Sequence, residues 1–185
     1  MKKCPWALSS AMQEHYHDTQ WGVPVHDDRL LFEMLILEGA QAGLSWNTVL
    51  QKREGYRRAF DNFEIAKVAS YSEQKQLELQ ANPEIIRNKL KIRSAVTNAQ
   101  AVIAIQQQHG SFATYIWSFV NGKSIKNSWQ TMPEVPANTS ESDAMSKSLK
   151  KAGFKFVGST ICYAYMQAVG MVNDHLVTCP RYIDI

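Results

Sequence analysis

Residues 147–160 read KSLKKAGFKFVGST, and in this stretch two predicted helices meet at a turn edged by Gly153 and Gly158. The helix before it is capped by Ser140 and stopped by Gly153, and the helix after it is opened by Ser159. The second helix continues to Val169, where the apolar spacing ends. The pattern therefore predicts two helices joined by a very short turn.

This turn is basic and rich in glycine. Residues 144–173 contain no acidic residue, and lysines lie in or just before the turn. Glycines let a phosphate reach the backbone N–H groups at the start of the following helix, and lysines attract it. The segment resembles a helix-hairpin-helix element, whose DNA contacts would come from Lys155, Gly158, Ser159 and Thr160. An ordinary corner between two helices with a solvated basic face is the alternative.

Apolar residues recur at helical spacing along most of the chain. The remaining predicted helices cover residues 29–42, residues 45–60, a long segment from Asn82-Pro83 to Gly110, and a short aromatic segment that starts at Ser111. Residues 121–139 lack periodicity and are predicted to form a long connection. No segment alternates as a strand would. We therefore predict an all-α fold, with residues 1–185 forming one unit of two helical lobes.

The composition is that of a globular protein. The 185 residues are 45% hydrophobic and 20% charged, which argues against disorder and low-complexity repeats. No apolar run approaches the roughly 20 residues that a membrane span needs. No apolar stretch follows Lys2 and Lys3, so we expect no secretory signal and a cytoplasmic protein. The net charge of +3 favours an anionic partner, and nothing demands more than a monomer.

Glu38 falls on an apolar face of its predicted helix, between Leu31 and Met34. A buried carboxylate is costly unless it is paired or used, and burial raises its pKa. The ordinary alternative is a glutamate that reaches solvent or an arginine. Residues 38–46, EGAQAGLSW, combine small residues that permit close approach with the flat indole of Trp46. They predict the wall of a pocket for a flat ligand.

Two cysteines and two histidines near the chain ends form a candidate metal-binding set. Cys4 and His17 lie near the start, and His175 and Cys179 near the end. If helical, residues 175–179 place the last two side chains one turn apart. Together the four have the composition of a closed tetrahedral zinc site. The alternative is that the cysteines are buried free thiols and that a histidine lies at the surface. It stays open because the long stretch of sequence between the two pairs gives a metal site little support.

Several motifs, in this order along the chain, are similar to those of the DNA-3-methyladenine glycosylase I family, the constitutive alkylation-repair glycosylases of bacteria. The similarity runs nearly the full length of the chain. The motifs are Tyr16-His17-Asp18, Trp21-Gly22-Val23-Pro24, Leu31-Phe32-Glu33-Met34, Leu37-Glu38-Gly39 through Trp46, Trp117-Ser118-Phe119-Val120, Ser142-Asp143-Ala144 and Val172-Asn173-Asp174-His175.

The resemblance implies a helix-hairpin-helix glycosylase fold. It further implies that Cys4, His17, His175 and Cys179 bind one structural Zn²⁺ that joins the N- and C-terminal segments. Members of this family act on double-stranded DNA with alkylated bases, so the chain would be associated with the bacterial nucleoid through that DNA.

The resemblance also implies the roles of the pocket residues. Glu38 would be the catalytic residue, recognising the flipped methylated base. Leu44, beside Gly43, would fill the gap that the base leaves in the duplex. Gln13 stands where some members carry an aromatic residue. The side chains that would bind the substrate are Tyr16, Trp46, Trp6 and Trp21.

The implied reaction is hydrolysis of an N-glycosidic bond in base-excision repair, and its chemistry is plausible from these residues. The base must leave the stack before its glycosidic bond can be reached. N3-methyladenine is cationic in the duplex, so an electron-rich aromatic cage with an anionic Glu38 favours it over adenine. Asn173 and Asp174 occupy the vicinity where superfamily relatives place a catalytic aspartate after the hairpin. We interpret Asp174 as structural or as orienting His175.

No lysine follows Lys155, so a Schiff-base lyase activity is not expected. The alternative is that the chain is a non-enzymatic DNA-binding protein whose N- and C-terminal segments are joined by zinc. That alternative explains the hairpin and the metal set equally well, but it does not explain the position of Glu38.

Overall fold

The structure, a computed structural model, describes residues 2–185, and most of them lie in helices. The α-helices are α1 Ala11–Thr19, α2 Asp28–Gln41, α3 Trp46–Ala59, α4 Ile65–Ala69, α5 Glu73–Ala81, α6 Lys89–His109, α7 Phe112–Trp117, α8 Ser140–Lys151, α9 Ser159–Ala168 and α10 Arg181–Asp184. Short 3-10 helices cover Pro5–Ser9, Asp61–Phe63, Ser118–Val120 and Met132–Glu134. None of the helices within residues 2–185 is long and apolar enough to cross a membrane.

Side-chain caps fix the starts of the predicted helices. The Ser45 hydroxyl accepts a hydrogen bond from the backbone N–H of Thr48, and Ser111 caps α7 in the same way. At the hairpin, Thr139 caps α8 and exchanges hydrogen bonds with Ser142, so the predicted cap Ser140 is the first helical residue instead.

The predicted start of the long helix was wrong. Asn82 ends α5, and α6 begins only at Lys89, with the Asn88 side chain accepting from the N–H groups of the first turn. Both asparagines are good caps in isolation, so local propensity does not distinguish them. The helices α1, α4, α5 and α10 were not predicted either. Each has at most nine residues, too few for a clear apolar repeat.

The all-α prediction needs a small correction. β1 Ile125–Lys126 and β2 Val172–Asn173 pair in parallel, with Ile125 opposite Val172. Strands of two residues carry no alternating pattern that sequence reasoning can detect. This pairing attaches the connection over residues 121–139 to the segment that follows α9.

Helix α2 is the centre of the molecule. It contacts α3, α6, α7 and α9, and every residue from Leu31 to Ala40 is buried. The helix is therefore covered on all sides, beyond the single apolar face that its sequence predicted. Any polar side chain in this span must find a partner or border a cavity, and this condition places Glu38.

Candidate functional site

A cavity of about 280 Å³ opens beside the second half of α2. It is mainly apolar and aromatic, with a few polar groups, as is usual for a small-molecule site. The residues that line it are Trp6, Gln13, Tyr16, Trp21, Glu38, Gln41, Trp46, Met132, Val135, Ala164, Gln167 and Asp174. The five pocket residues predicted from the sequence, Glu38, Tyr16, Trp46, Trp6 and Trp21, are thus brought together.

The aromatic side chains form a contiguous wall. The ring centroids of Tyr16 and Trp46 lie 5.3 Å apart, and those of Trp6 and Trp21 lie 5.0 Å apart at 73°. Trp6 and Tyr16 connect the two pairs at 6.4 Å. Gln13 lies on the same wall, where its side-chain oxygen accepts from the Ser9 hydroxyl at 2.7 Å. The wall presents π faces that favour a flat or cationic ligand.

Glu38 brings a single carboxyl group to this wall. Its side chain is buried, and it receives no hydrogen bond from any residue of the described chain, 2–185. Burial raises the pKa of Glu38 from 4.5 to about 8. A carboxyl with this pKa is largely protonated at neutral pH.

Two further polar groups beside Glu38 lack a protein partner. Neither the Tyr16 hydroxyl nor the Trp46 indole N–H makes a hydrogen bond within residues 2–185. Burial raises the pKa of Tyr16 well above its usual value, and the charge of Glu38 adds to this effect. Buried polar groups without partners are rare, and here the two residues that carry them line the same cavity as Glu38. This concentration indicates a binding site.

Part of the cavity wall comes from residues that sequence reasoning missed. Met132 and Val135 belong to the connection over residues 121–139, and Ala164 and Gln167 belong to α9. Their only sequence signal was the apolar character of Met132 and Val135 in an otherwise aperiodic stretch.

Asp174 holds this wall in place. Its carboxylate accepts hydrogen bonds from Asn127 at 2.7 Å, Trp129 at 2.8 Å, Tyr163 at 2.6 Å and Gln167 at 2.8 Å. The first two donors belong to the connection and the last two to α9. The expected contact with His175 is absent from the hydrogen bonds of residues 2–185, so the structural interpretation of Asp174 is favoured over one that orients His175.

The four residues of the metal-binding set lie together behind the aromatic wall. Cys4, His17, His175 and Cys179 are all buried, and one ligand atom from each lies within 4.8 Å of the others. The Nε2 atom of His17 is 3.1 Å from Nδ1 of His175, and both cysteine Sγ atoms lie within 3.8 Å of the latter. We call these four residues the Cys/His cluster.

The remaining histidine nitrogens of the Cys/His cluster are also engaged. Nδ1 of His17 lies 2.8 Å from the Asp18 carboxylate, and Nε2 of His175 lies 3.2 Å from the backbone carbonyl of Trp21. Partners of this kind orient metal-binding histidines in proteins. Residues 174–180 are not helical, so the condition for a one-turn spacing of His175 and Cys179 is not met. A turn brings the two side chains together instead.

The predicted DNA-binding residues lie at two places. Lys155, Gly158, Ser159 and Thr160 lie at the turn between α8 and α9, where Lys155 and Thr160 are exposed. Gly158 caps α9, and a side chain added there would meet open space. The Ser159 hydroxyl donates to the Asp143 carboxylate, so its side chain contacts the protein while its backbone N–H stays at the helix start.

Gly43 and Leu44 form the second place, the turn between α2 and α3. Gly43 has a φ of +78°, which favours glycine, and Leu44 is 42% exposed although it is apolar. The expectation that Gly39 gives room for a ligand was wrong. A Cβ at Gly39 would lie 3.2 Å from the Cβ of Phe156, so the glycine admits the hairpin turn.

Comparisons with known proteins agree on one family. Residues 6–182 match the family described as methyladenine glycosylase. DNA-3-methyladenine glycosylase 1 of Escherichia coli (strain K12) is 48% identical over 182 residues, which cover 98% of this chain and 97% of that protein. The crystal structure of a 3-methyladenine DNA glycosylase I matches with a TM-score of 0.94 at 47% identity, covering 97% of this chain and 98% of that chain. A variant of 3-methyladenine DNA glycosylase I in complex with 3-methyladenine also matches with a TM-score of 0.94, at 36% identity over 97% of each chain.

Proposed function

The chain belongs to the methyladenine glycosylase family, and we propose on this premise that it removes 3-methyladenine from alkylated DNA by hydrolysing the N-glycosidic bond. The observation that carries the proposal is the unpaired, buried Glu38 carboxyl in a cavity walled by Tyr16, Trp46, Trp6 and Trp21. A binding protein that only gripped the DNA backbone would have no use for this costly arrangement.

Selectivity follows from the proton on Glu38. Because the pKa of Glu38 is about 8 in the free protein, the carboxyl is mostly neutral at physiological pH. A cationic N3-methylated base stabilises the ionised form, so its entry favours loss of that proton, whereas neutral adenine gives no such compensation. The anionic Glu38 expected from the sequence is therefore a property of the complex with the cation. The π faces of the cage favour the same cation.

Little further catalysis is needed once the base is in the cavity. The positive charge on the methylated ring already weakens the glycosidic bond, so the protein has mainly to extrude, recognise and hold the base. No lysine lines the cavity among residues 2–185, which supports hydrolysis without a Schiff-base step.

We propose that α8, α9 and the turn between them act as a helix-hairpin-helix element on the DNA backbone. Support comes from the open N-terminus of α9 at Gly158 and from exposed lysines on the preceding helix and turn. Leu44 is proposed to enter the duplex where the base leaves, because it is an exposed apolar side chain on a turn next to the cavity wall.

We propose that the Cys/His cluster binds one structural Zn²⁺. In a tetrahedral site with usual zinc bond lengths, the ligand atoms lie roughly 3.3 to 3.8 Å apart. The distance between the two histidine nitrogens is 3.1 Å, and the distances from Cys179 Sγ to the same nitrogens are 3.5 and 3.7 Å. A bound ion would supply no step of the reaction and would fix the chain ends around Trp21.

Incubation of the purified protein with methylated duplex DNA tests the function. Chromatography is expected to detect free 3-methyladenine, with the DNA strand left uncut at the resulting abasic site. Glu38→Gln and Trp46→Ala are expected to lose most of the release, because each removes part of the cage. Glu78→Gln, a change on the exposed side of α5, is the matched control and should behave as wild type.

The alternative, a non-enzymatic DNA-binding protein, predicts a different result. It would bind the methylated duplex and release no base. Full release by both Glu38→Gln and Trp46→Ala would instead contradict the assignment of this cavity.

A further inference from the structure

Residues 87–93, RNKLKIR, form a second basic stretch at the start of α6. Within it, Lys91 turns its ammonium group toward the protein. Nζ donates to the backbone carbonyls of Ala40 and Ala42, both at 2.7 Å. These carbonyls end α2, where the helix dipole is negative, and they immediately precede the Gly43-Leu44 turn. Lys91 therefore fixes the turn that presents Leu44.

Asn98 makes a corresponding contact with the hairpin. Its side-chain oxygen accepts from the backbone N–H of Lys155 at 2.8 Å, and its amide donates to the Lys155 carbonyl at 3.0 Å. Asn98 is buried, and the next residue of the hairpin, Phe156, has a φ of +56°, which is unusual for a bulky side chain. The two hydrogen bonds hold the hairpin in this strained conformation, in which Phe156 packs against Gly39.

Lys91 and Asn98 are two helical turns apart and so lie on the same face of α6. Their four hydrogen bonds join α6 to the two segments that contact DNA in the proposed function. We infer that α6 sets the distance between the Leu44 turn and the hairpin, with Lys91 and Asn98 as positioning residues for extrusion of the base. This inference rests on the proposed function, since it needs both segments to act on one duplex.

To extrude a base, the hairpin must hold the DNA backbone while Leu44 enters the duplex, and the distance between these two segments must be fixed. Recognition of the free base requires only the cavity. Loss of either contact should therefore slow extrusion much more than it alters the cavity, of whose lining only Gln41 lies between the two carbonyls that Lys91 holds. The cost should be smaller where the damaged base is already unpaired, because less work is then needed to flip it. A general loss of structure would instead weaken excision from paired DNA, excision of an unpaired base and binding of the free base to the same extent.

Single-turnover excision by Lys91→Met and Asn98→Leu tests the inference. Each variant is expected to excise 3-methyladenine from a fully paired duplex roughly tenfold to a hundredfold more slowly, since small misplacements have effects of this size. With the lesion in a mismatch or a bulge, most of the deficit should disappear. Affinity for free 3-methyladenine should stay within about twofold of wild type.

Two controls separate positioning from charge. Lys91→Arg keeps a donor for the two carbonyls and is expected to recover most of the lost rate. Lys89→Met removes a charge from the same stretch, where Lys89 is exposed, and should leave the rate near that of wild type.

The inference is overturned if Lys91→Met excises at the wild-type rate, if its deficit is the same in paired and mismatched DNA, or if free-base affinity falls in parallel. If Asn98→Leu does not fold, the comparison of Lys91→Met with Lys91→Arg tests the inference by itself. A wild-type protein that releases no base would reject the proposed function itself, and with it the inference.

Discussion

Glu33 and Glu38 lie on the same helix, both buried, and differ in their surroundings. The Glu33 carboxylate is 2.7 Å from Arg53 and 2.8 Å from Arg57, so its charge is compensated within the protein. Glu38 has no such partner among residues 2–185, and it borders the cavity. The first glutamate therefore serves the fold, and the second is available to a ligand.

This difference predicts a pH effect on stability. The carboxyl of Glu38 ionises near pH 4.5 in the unfolded chain and near pH 8 in the folded one. Between these values the unfolded state loses its proton first, so the contribution of Glu38 to the free energy of unfolding falls as pH rises. The glutamine of Glu38→Gln cannot ionise. The free energy of unfolding of this variant should therefore be a few kcal/mol higher than that of the wild type at pH 8 and equal to it near pH 4.

Urea unfolding of both proteins from pH 4 to pH 8.5, with Glu78→Gln as control, measures this difference. A stability difference that does not grow with pH would mean that Glu38 is ionised or paired in the free protein.

At the scale of elements, the connection over residues 121–139 is a wall of the site as well as a link between helices. β1 pairs it with β2, and Asn127 and Trp129 donate to Asp174. These contacts hold Met132 and Val135 at the cavity. An aperiodic segment is thus fixed by hydrogen bonds to a single buried carboxylate.

Asp174→Asn tests this arrangement. An amide in place of one carboxylate oxygen turns a donor toward groups that are themselves donors, so at least one buried N–H or O–H loses its partner. We expect a loss of about 2 to 4 kcal/mol in the free energy of unfolding and a rise in KM as the wall loosens. Asp184→Asn, at an exposed position in α10, is the control. Wild-type stability in Asp174→Asn would show that the four hydrogen bonds contribute nothing net.

The comparisons confirm the family that the sequence motifs predicted. Local signals also predicted α2, α3 and α7 well, because a capping side chain such as Ser45 or Ser111 acts within its own helix. The start of α6 was missed because two capping asparagines compete and tertiary packing chooses between them. The burial of Glu38 followed from helical phase. Its lack of a partner, and the part played by Asp174, depend on segments distant in sequence and were not predictable.

At the scale of the whole molecule, the Cys/His cluster and the cavity share a wall. The Trp21 ring stacks on His17 at 6.1 Å and packs edge-on against His175 at 4.6 Å, while its other contacts include Trp6. From the sequence we expect metal removal to lower stability more than it alters the pocket. Because the wall is shared, we expect metal removal to affect both the stability of the protein and the geometry of the pocket.

Chelation should therefore lower the unfolding temperature by roughly 10 °C and shift the tryptophan fluorescence together with it. Added Zn²⁺ should restore both, and metal analysis should find about one equivalent per chain. Cys4→Ser should be insensitive to the chelator, whereas Cys162→Ser, outside the cluster, should bind metal as wild type does. A chelated protein with unchanged stability would reject a structural metal.

The position of the Cys/His cluster also sets an order of events during synthesis. Trp6, Tyr16 and Glu38 are translated long before His175 and Cys179. Until those two emerge, Cys4 and His17 lack half of the Cys/His cluster, and Trp21 lacks its contact with His175. A nascent chain, or one terminated before Cys179, therefore lacks the complete Cys/His cluster, and the wall that this cluster shares with the cavity has lost part of its support.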